Sequence, residues 1–206
     1  MGEEATIQIV EDDPGVRQLH ERWLRDDFEV RSVADGESAI ECATEAVDVF
    51  LLDRNLPGIT GDQVARALRS EGYSGMIAMV TANDPDEVVG TLPIDEYVTK
   101  PIDKSALTAV VERLLARLEC PPVERELLAM LTRKHRLESA SNGAKLATSE
   151  TYENLLERIE THCQRVDWAD SSRADLRNQA GDLLRRSEPL ANAFDATHSA
   201  LAPREN

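Results

Sequence analysis

Five polar groups stand where short apolar runs end, and together they have the chemistry to handle a phosphoryl group. TIQIV (6–10) runs into Glu11-Asp12, VDVFLL (47–52) into Asp53, MIAMVT (76–81) closes on Thr81, and EYVT (96–99) leads to Lys100-Pro101. Clustered carboxylates either raise a pKa or recruit a cation, and an all-oxygen set suits a hard divalent ion such as Mg²⁺. A carboxylate is also a nucleophile, with aspartyl phosphate as its product. A lysine acts as a point charge on a phosphoryl group, and a threonine hydroxyl donates to one of its oxygens. Taken singly, each has a plainer explanation: acids after a strand cap helices, and Lys-Pro makes a turn. Their common position at run ends sets them apart.

The elements that must bring them together are legible. The four runs and FEVRSV (28–33) are four to six residues long and rich in β-branched residues, which predicts strands. Between them lie amphipathic stretches with helix starts. Asp13-Pro14 and Asp84-Pro85 each read as an N-cap with proline at the first helical position. Thr60 with Gln63 fits a capping box, and Asp103 caps the stretch carrying Leu107, Val110, Val111, Leu114, Leu115 and Leu118. Five βα units predict a parallel sheet with helices on both faces and a ligand crevice beyond the carboxyl ends of its strands. The stretch from Thr81 to Tyr97 has few apolar residues, so its helix is expected to be short or loosely packed.

With those elements in place, residues 5–118 resemble the receiver domain of two-component response regulators, through IVEDDPGVR, LLDRNLPGITG, MVTAND and EYVTKPID. The resemblance implies a five-stranded parallel, doubly wound, flavodoxin-like α/β domain over 1–120. It implies that Asp53 is the phospho-acceptor. Glu11, Asp12, Asp53 and the main-chain carbonyl of Asn55 would hold Mg²⁺, while Thr81 and Lys100 bind the phosphoryl group. Tyr97 takes the place of the aromatic that moves inward on activation, and the Lys100–Pro101 peptide is expected to be cis. The implied partner is a sensor histidine kinase or phosphotransfer protein, and the chain is a switch rather than an enzyme. Haloacid-dehalogenase phosphatases share the aspartate, lysine and Mg²⁺ but need a second aspartate where this chain has Asn55. A receiver serving as an interaction scaffold independent of phosphorylation is the other alternative.

Composition narrows the setting. The chain has 206 residues, 23 basic and 39 acidic, for a net charge of −16. Residues 1–120 carry 25 acidic against 11 basic side chains (−14), and 121–206 carry 14 against 12 (−2). Such acidity disfavours non-specific contact with nucleic acid or anionic membrane. Lysine is scarce, with only Lys100, Lys104, Lys134 and Lys145. That pattern resembles proteins of salt-loving organisms, in which salt screens the self-repulsion. Three scattered cysteines (Cys42, Cys120, Cys163), no apolar span of membrane length and an acidic N-terminus lead us to expect a reduced, cytoplasmic protein without membrane contact.

Cys120-Pro121-Pro122 ends the fifth helix, and helical stripes follow. Val123, Leu127, Met130, Leu131, Lys134 and Leu137 form one. Tyr152, Leu155, Leu156, Ile159, Cys163 and Val166 form another, after a loop over 141–149, and a weaker helix is expected from near Ser172. ERELLAMLTRKHRLESASNGAKLATSETYENLLERIE resembles the HalX domain of halophilic archaea, implying an all-α module over 121–190; the tail, without a sustained pattern from Glu188 on, is expected to be flexible over 191–206. The plainest role for the stripes is packing on each other or on a second copy, hence a homodimer or a partner surface. The basic clusters RKHR (133–136) and Arg185-Arg186 read as solvated helix faces. Operator binding through these helices is the alternative, without the compact helix-turn-helix spacing it would want.

Overall fold

The computed structural model describes residues 4–43, 46–140 and 149–166, with Leu146 and Ala180. The apolar runs become strands close to their sequence bounds: β1 (Thr6–Val10), β2 (Glu29–Val33), β3 (Val49–Leu52), β4 (Met76–Thr81) and β5 (Glu96–Thr99). All pairings are parallel, in the order β2-β1-β3-β4-β5. β1, β3 and β4 are buried along their whole length, as strands covered on both faces must be. The order reverses between β1 and β3, so the crevice opens there, beyond Val10 and Leu52.

Among the described residues, these α-helices accompany the sheet: α1 (Pro14–Leu24), α2 (Gly36–Glu41), α3 (Gly61–Ser70), α4 (Lys104–Leu118), α5 (Pro122–Ala140) and α6 (Glu150–Cys163). Their starts follow local chemistry. The Asp13 carboxylate accepts from the backbone N–H of Gly15 (2.7 Å) and Val16 (2.9 Å), with Pro14 in the first turn. Thr60 and Gln63 make the reciprocal capping box, and Asp103 accepts from Ala106 N at 2.8 Å. Gly58, at φ +77°, takes the left-handed turn that leads towards α3.

One face of the sheet carries α1 and α4, where Ile7, Ile9, Leu51 and Val80 pack with Leu107, Val111 and Leu114. The opposite face carries α2 and α3, and its core does not stop there. Phe50, Leu52, Met79 and Tyr97 belong to the same apolar cluster as Leu127, Leu131 and Leu137 of α5 and Leu155 and Ile159 of α6. The two C-terminal helices pack on each other and against β5 and the segment before it.

That segment departs from expectation. Where Asp84-Pro85 suggested a helix start, the chain forms only a 3₁₀ turn, Glu87–Thr91, after Asp86. Asp86 makes no capping bond, because its carboxylate pairs with Arg54 at 3.0 Å. The scarcity of apolar residues did indicate a short element. Gly90 of this turn lies against α5 and α6: a Cβ there would sit 3.1 Å from Thr151 Cγ2 and 3.5 Å from Leu137 Cδ1.

RKHR is likewise not a solvated face. Arg133 and Lys134 are buried, Lys134 pairs with Glu138 at 2.6 Å, and Arg136 reaches Glu96 at 3.4 Å. The stripe on α5 packs inward against the sheet, and its basic residues follow it. The helix expected from Ser172, the cluster Arg185-Arg186 and the tail at 191–206 lie outside the described residues.

Candidate functional site

The crevice gathers residues from three strand ends. Asp53 leaves β3 with its backbone N–H bonded to Val10 O at 2.9 Å, which sets it beside Glu11 and Asp12 leaving β1. Lys100, after β5, donates from Nζ to Asp53 Oδ2 (2.7 Å) and Glu11 Oε2 (2.6 Å). Glu11 and Asp53 are buried and Asp12 is exposed; carboxylate oxygens of all three lie within 4.8 Å of one another. Among the described residues this is the cluster of three or more such side chains placed to share a cation. Its donors are all oxygens, as a hard divalent ion requires, and the exposed Asp12 leaves room for water or a phosphoryl oxygen.

Burial pushes the Glu11 carboxyl above its usual range, with Asp53 adding to the rise and Lys100 opposing it. Burial works against the Lys100 charge, yet the bonds to Asp53 and Glu11 prevail and hold its pKa above the ordinary lysine value. One ammonium therefore bridges two carboxylates.

α3 packs tightly under the acceptor strand. A Cβ at Gly61 would lie 2.2 Å from Asp53 O and 2.9 Å from Arg54 Cα, so glycine is what lets the helix begin there. Asn55 N donates to Asp53 Oδ1 at 3.2 Å. Across the mouth, the side-chain amides of Asn55 and Asn83 pair reciprocally at 3.3 and 3.1 Å. Thr81 is fully buried, and its hydroxyl accepts from Asn83 N at 3.3 Å. Tyr97 is also fully buried, and its hydroxyl donates to Asn83 O at 3.0 Å. The ring that the resemblance expected to move inward is already inside. The Lys100–Pro101 peptide is cis.

The chain matches the family described as response regulator receiver domain over residues 7–112. It belongs to that family. The receiver fold recurs in a BeF3-activated DrrB receiver domain, 27% identical with a TM-score of 0.51, covering 55% of this chain and 98% of that one. A putative transcriptional regulator from Haloferax volcanii is 32% identical over 186 residues, 88% of this chain but 32% of the relative. The transcriptional regulatory protein CseB of Streptomyces coelicolor is 35% identical over 121 residues, 57% of this chain and 52% of the relative. The chain thus spans only a third to a half of the length of these curated relatives.

The structure brings Glu11, Asp12, Asp53 and Lys100 together, and Asn55, Thr81 and Tyr97 meet beside them through Asn83. Sequence reading missed the supports of the crevice. Arg54 holds Asp62 of α3 and Asp86 at 3.0 Å each, locking the loop after β3 to the loop after β4. Asn83 serves Asn55, Thr81 and Tyr97 at once. An arginine directly after the aspartate, amid many acids, was the available signal, but its partners lie eight and 32 positions away in sequence.

Proposed function

We propose that this receiver is a phosphorylation-dependent switch in which Asp53 accepts a phosphoryl group from the phosphohistidine of a sensor kinase or phosphotransfer protein. One observation carries the proposal: a single lysine bridging Asp53 and Glu11 at 2.7 and 2.6 Å, beside Asp12, at the open end of a parallel sheet. Glu11, Asp12, Asp53 and the Asn55 carbonyl are the residues that would hold Mg²⁺, which supplies charge neutralisation for the transfer. Asp53 attacks phosphorus as the P–N bond to the histidine breaks. Lys100 is positioned to move from the carboxylates to the new phosphoryl oxygens, and the Thr81 hydroxyl to donate to another. Because Thr81 and Tyr97 both hold Asn83, turning the threonine towards phosphate pulls on the segment 82–86 and, through Asp86, on Arg54. With Tyr97 already inside, the rearrangement takes place in this loop and the 3₁₀ turn after it, which carries α5 and α6. Nothing in this scheme requires a reaction on a further substrate.

Labelling with a small phosphodonor in the presence of Mg²⁺ tests the assignment. The wild-type chain is expected to label and Asp53→Asn to remain unlabelled. Retained labelling of the variant would remove Asp53 from the role.

The C-terminal helices we assign to a HalX-like module whose output is dimerisation or partner binding. The match to the Haloferax volcanii relative extends past the receiver, which supports a shared module and a salt-adapted origin. The relatives' designation as transcriptional regulators favours DNA control as the second reading, yet Arg133 and Lys134 of the basic cluster of α5 are buried here. Promoter-fragment binding across several salt concentrations, set beside mass measurements with and without beryllofluoride, separates the two. A mass change without DNA binding supports the first; DNA binding without a mass change supports the second.

A further inference from the structure

At the end of the sheet away from Asp53, the segments entering β4 and β5 face the first three turns of α5. They line an open cavity of about 360 Å³. Four arginines line it: Arg69 of α3, Arg125 and Arg133 of α5, and Arg158 of α6. Two carboxylates share the wall, Asp95 and Glu126. The cavity is therefore cationic by two charges, inside a chain whose net charge is −16.

Both carboxylates are already engaged. Asp95 accepts from Arg69 Nη2 at 2.7 Å and Ile77 N at 2.8 Å; Glu126 pairs with Arg158 and His162 at 3.0 Å each. Arg133, only 4% exposed, donates to the main-chain carbonyls of Ala129 (3.3 Å) and Leu92, and among the described residues it pairs with no carboxylate. Burial pushes its guanidinium down to about 10, with Arg158 and Arg69 adding to the fall and Asp95 and Glu126 opposing it. A buried guanidinium whose neighbouring carboxylates are bonded to other groups is costly, and an anion in the cavity would reduce that cost.

We propose that this cavity binds a small multivalent oxyanion, inorganic phosphate or a compact phosphate monoester, held by the forks of Arg125 and Arg158 and by Nη2 of Arg133, whose Nε and Nη1 serve Ala129 and Leu92. Planar guanidinium forks match phosphate oxygens two at a time. The volume admits a phosphate with a small organic part. Arg125 donates to Ser74 O at 3.2 Å from the exposed rim, and Arg158 is half exposed, so both can swing onto an entering ligand without breaking the core. Bound there, the anion ties α5 and α6 to α3 and to the starts of β4 and β5. The docked state of the helical module then responds to a metabolite at one end of the sheet and to Asp53 at the other.

Thermal unfolding of the full chain against inorganic phosphate, with chelator present and ionic strength matched by KCl, tests the site. Phosphate should raise Tm beyond the matched KCl, and equally in Lys100→Ala, which removes the phosphoryl-binding cation of the crevice. Arg125→Ala/Arg158→Ala should weaken the apparent phosphate affinity about tenfold or more. Arg133→Met, which deletes the buried charge while keeping an apolar filling, should abolish the shift. A shift no larger than that of KCl overturns the site. So does a shift lost in Lys100→Ala but kept in the arginine variants.

Discussion

Glu96 offers a quantitative test of how the sheet holds its helices. It sits in β5 with its side chain 3% exposed, facing Arg113 of α4 (3.2 Å), Arg117 of α4 (3.6 Å) and Arg136 of α5 (3.4 Å). Arg113 and Arg136 are each about a third exposed, so water screens them and their pairs are worth little, under about 1 kcal/mol. Arg117 is different, at 3% exposure. Without Glu96 it keeps the Asp95 carbonyl (3.0 Å) and Thr132 Oγ1 (3.3 Å) but loses its nearest carboxylate. Breaking a buried pair by removing one partner costs about 3–5 kcal/mol. Those two surviving bonds place Glu96→Gln below that range, at about 2–3 kcal/mol. For a chain of this size the loss corresponds to a fall in Tm of roughly 5–10 °C. Urea unfolding by circular dichroism, at fixed high KCl to screen the acidic surface, gives the number directly. Arg113→Ala, measured alongside, should cost under about 1 kcal/mol. A Glu96→Gln change within about 0.5 kcal/mol of wild type would refute the reasoning, as would a loss that vanishes when KCl is raised.

Gly61→Ala pushes a methyl group to 2.2 Å from Asp53 O. It should cost about 1–3 kcal/mol in urea unfolding and slow phosphodonor labelling, and a neutral effect on both would show that α3 can retreat freely. Leu155, 1% exposed in α6, should cost about 2–5 kcal/mol as Leu155→Ala and admit protease to residues 150–163; a loss under about 1 kcal/mol would mean that α6 is not docked. His20 is buried and its pKa is pushed from 6.5 down to about 4, chiefly by burial, with Lys100 contributing. Its stabilising contribution is therefore complete above the ordinary histidine value and is lost as pH falls towards the folded one. By about pH 5 the loss should reach roughly 2 kcal/mol, and His20→Gln should flatten the wild-type stability slope between about pH 7 and 5 by that amount. Parallel slopes for the two proteins would contradict the assignment.

Local rules reached far in the first half. MIAMVT and EYVT become β4 and β5 at their expected bounds, and Asp13, Thr60 and Asp103 cap the helices they were expected to cap. The crevice was legible for the same reason: topology alone carries strand ends to one place, so Glu11, Asp53 and Lys100 meet without any long-range information being needed. What escaped were contacts chosen by tertiary packing. Asp84-Pro85 satisfies every local rule for a helix start, yet Arg54 takes Asp86 and the turn begins later. Arg133 looks like a solvent residue until α5 is laid against the sheet, where an arginine can cap the Leu92 carbonyl. No periodicity reports that, because period locates a face but does not name what covers it.

The uninterrupted apolar cluster from Phe50 to Ile159 bears on how such chains are cut and recombined. Cys120-Pro121-Pro122 looks like a seam in the sequence, but it is not one in the core. A fragment ending there would present Val89, Leu92 and Ile94 to water, all buried in the whole chain. That surface invites self-association or capture by another helix. Grafting a different output module onto this receiver would therefore require matching the apolar relief of α5 and α6, in addition to joining the chain at a permissive linker.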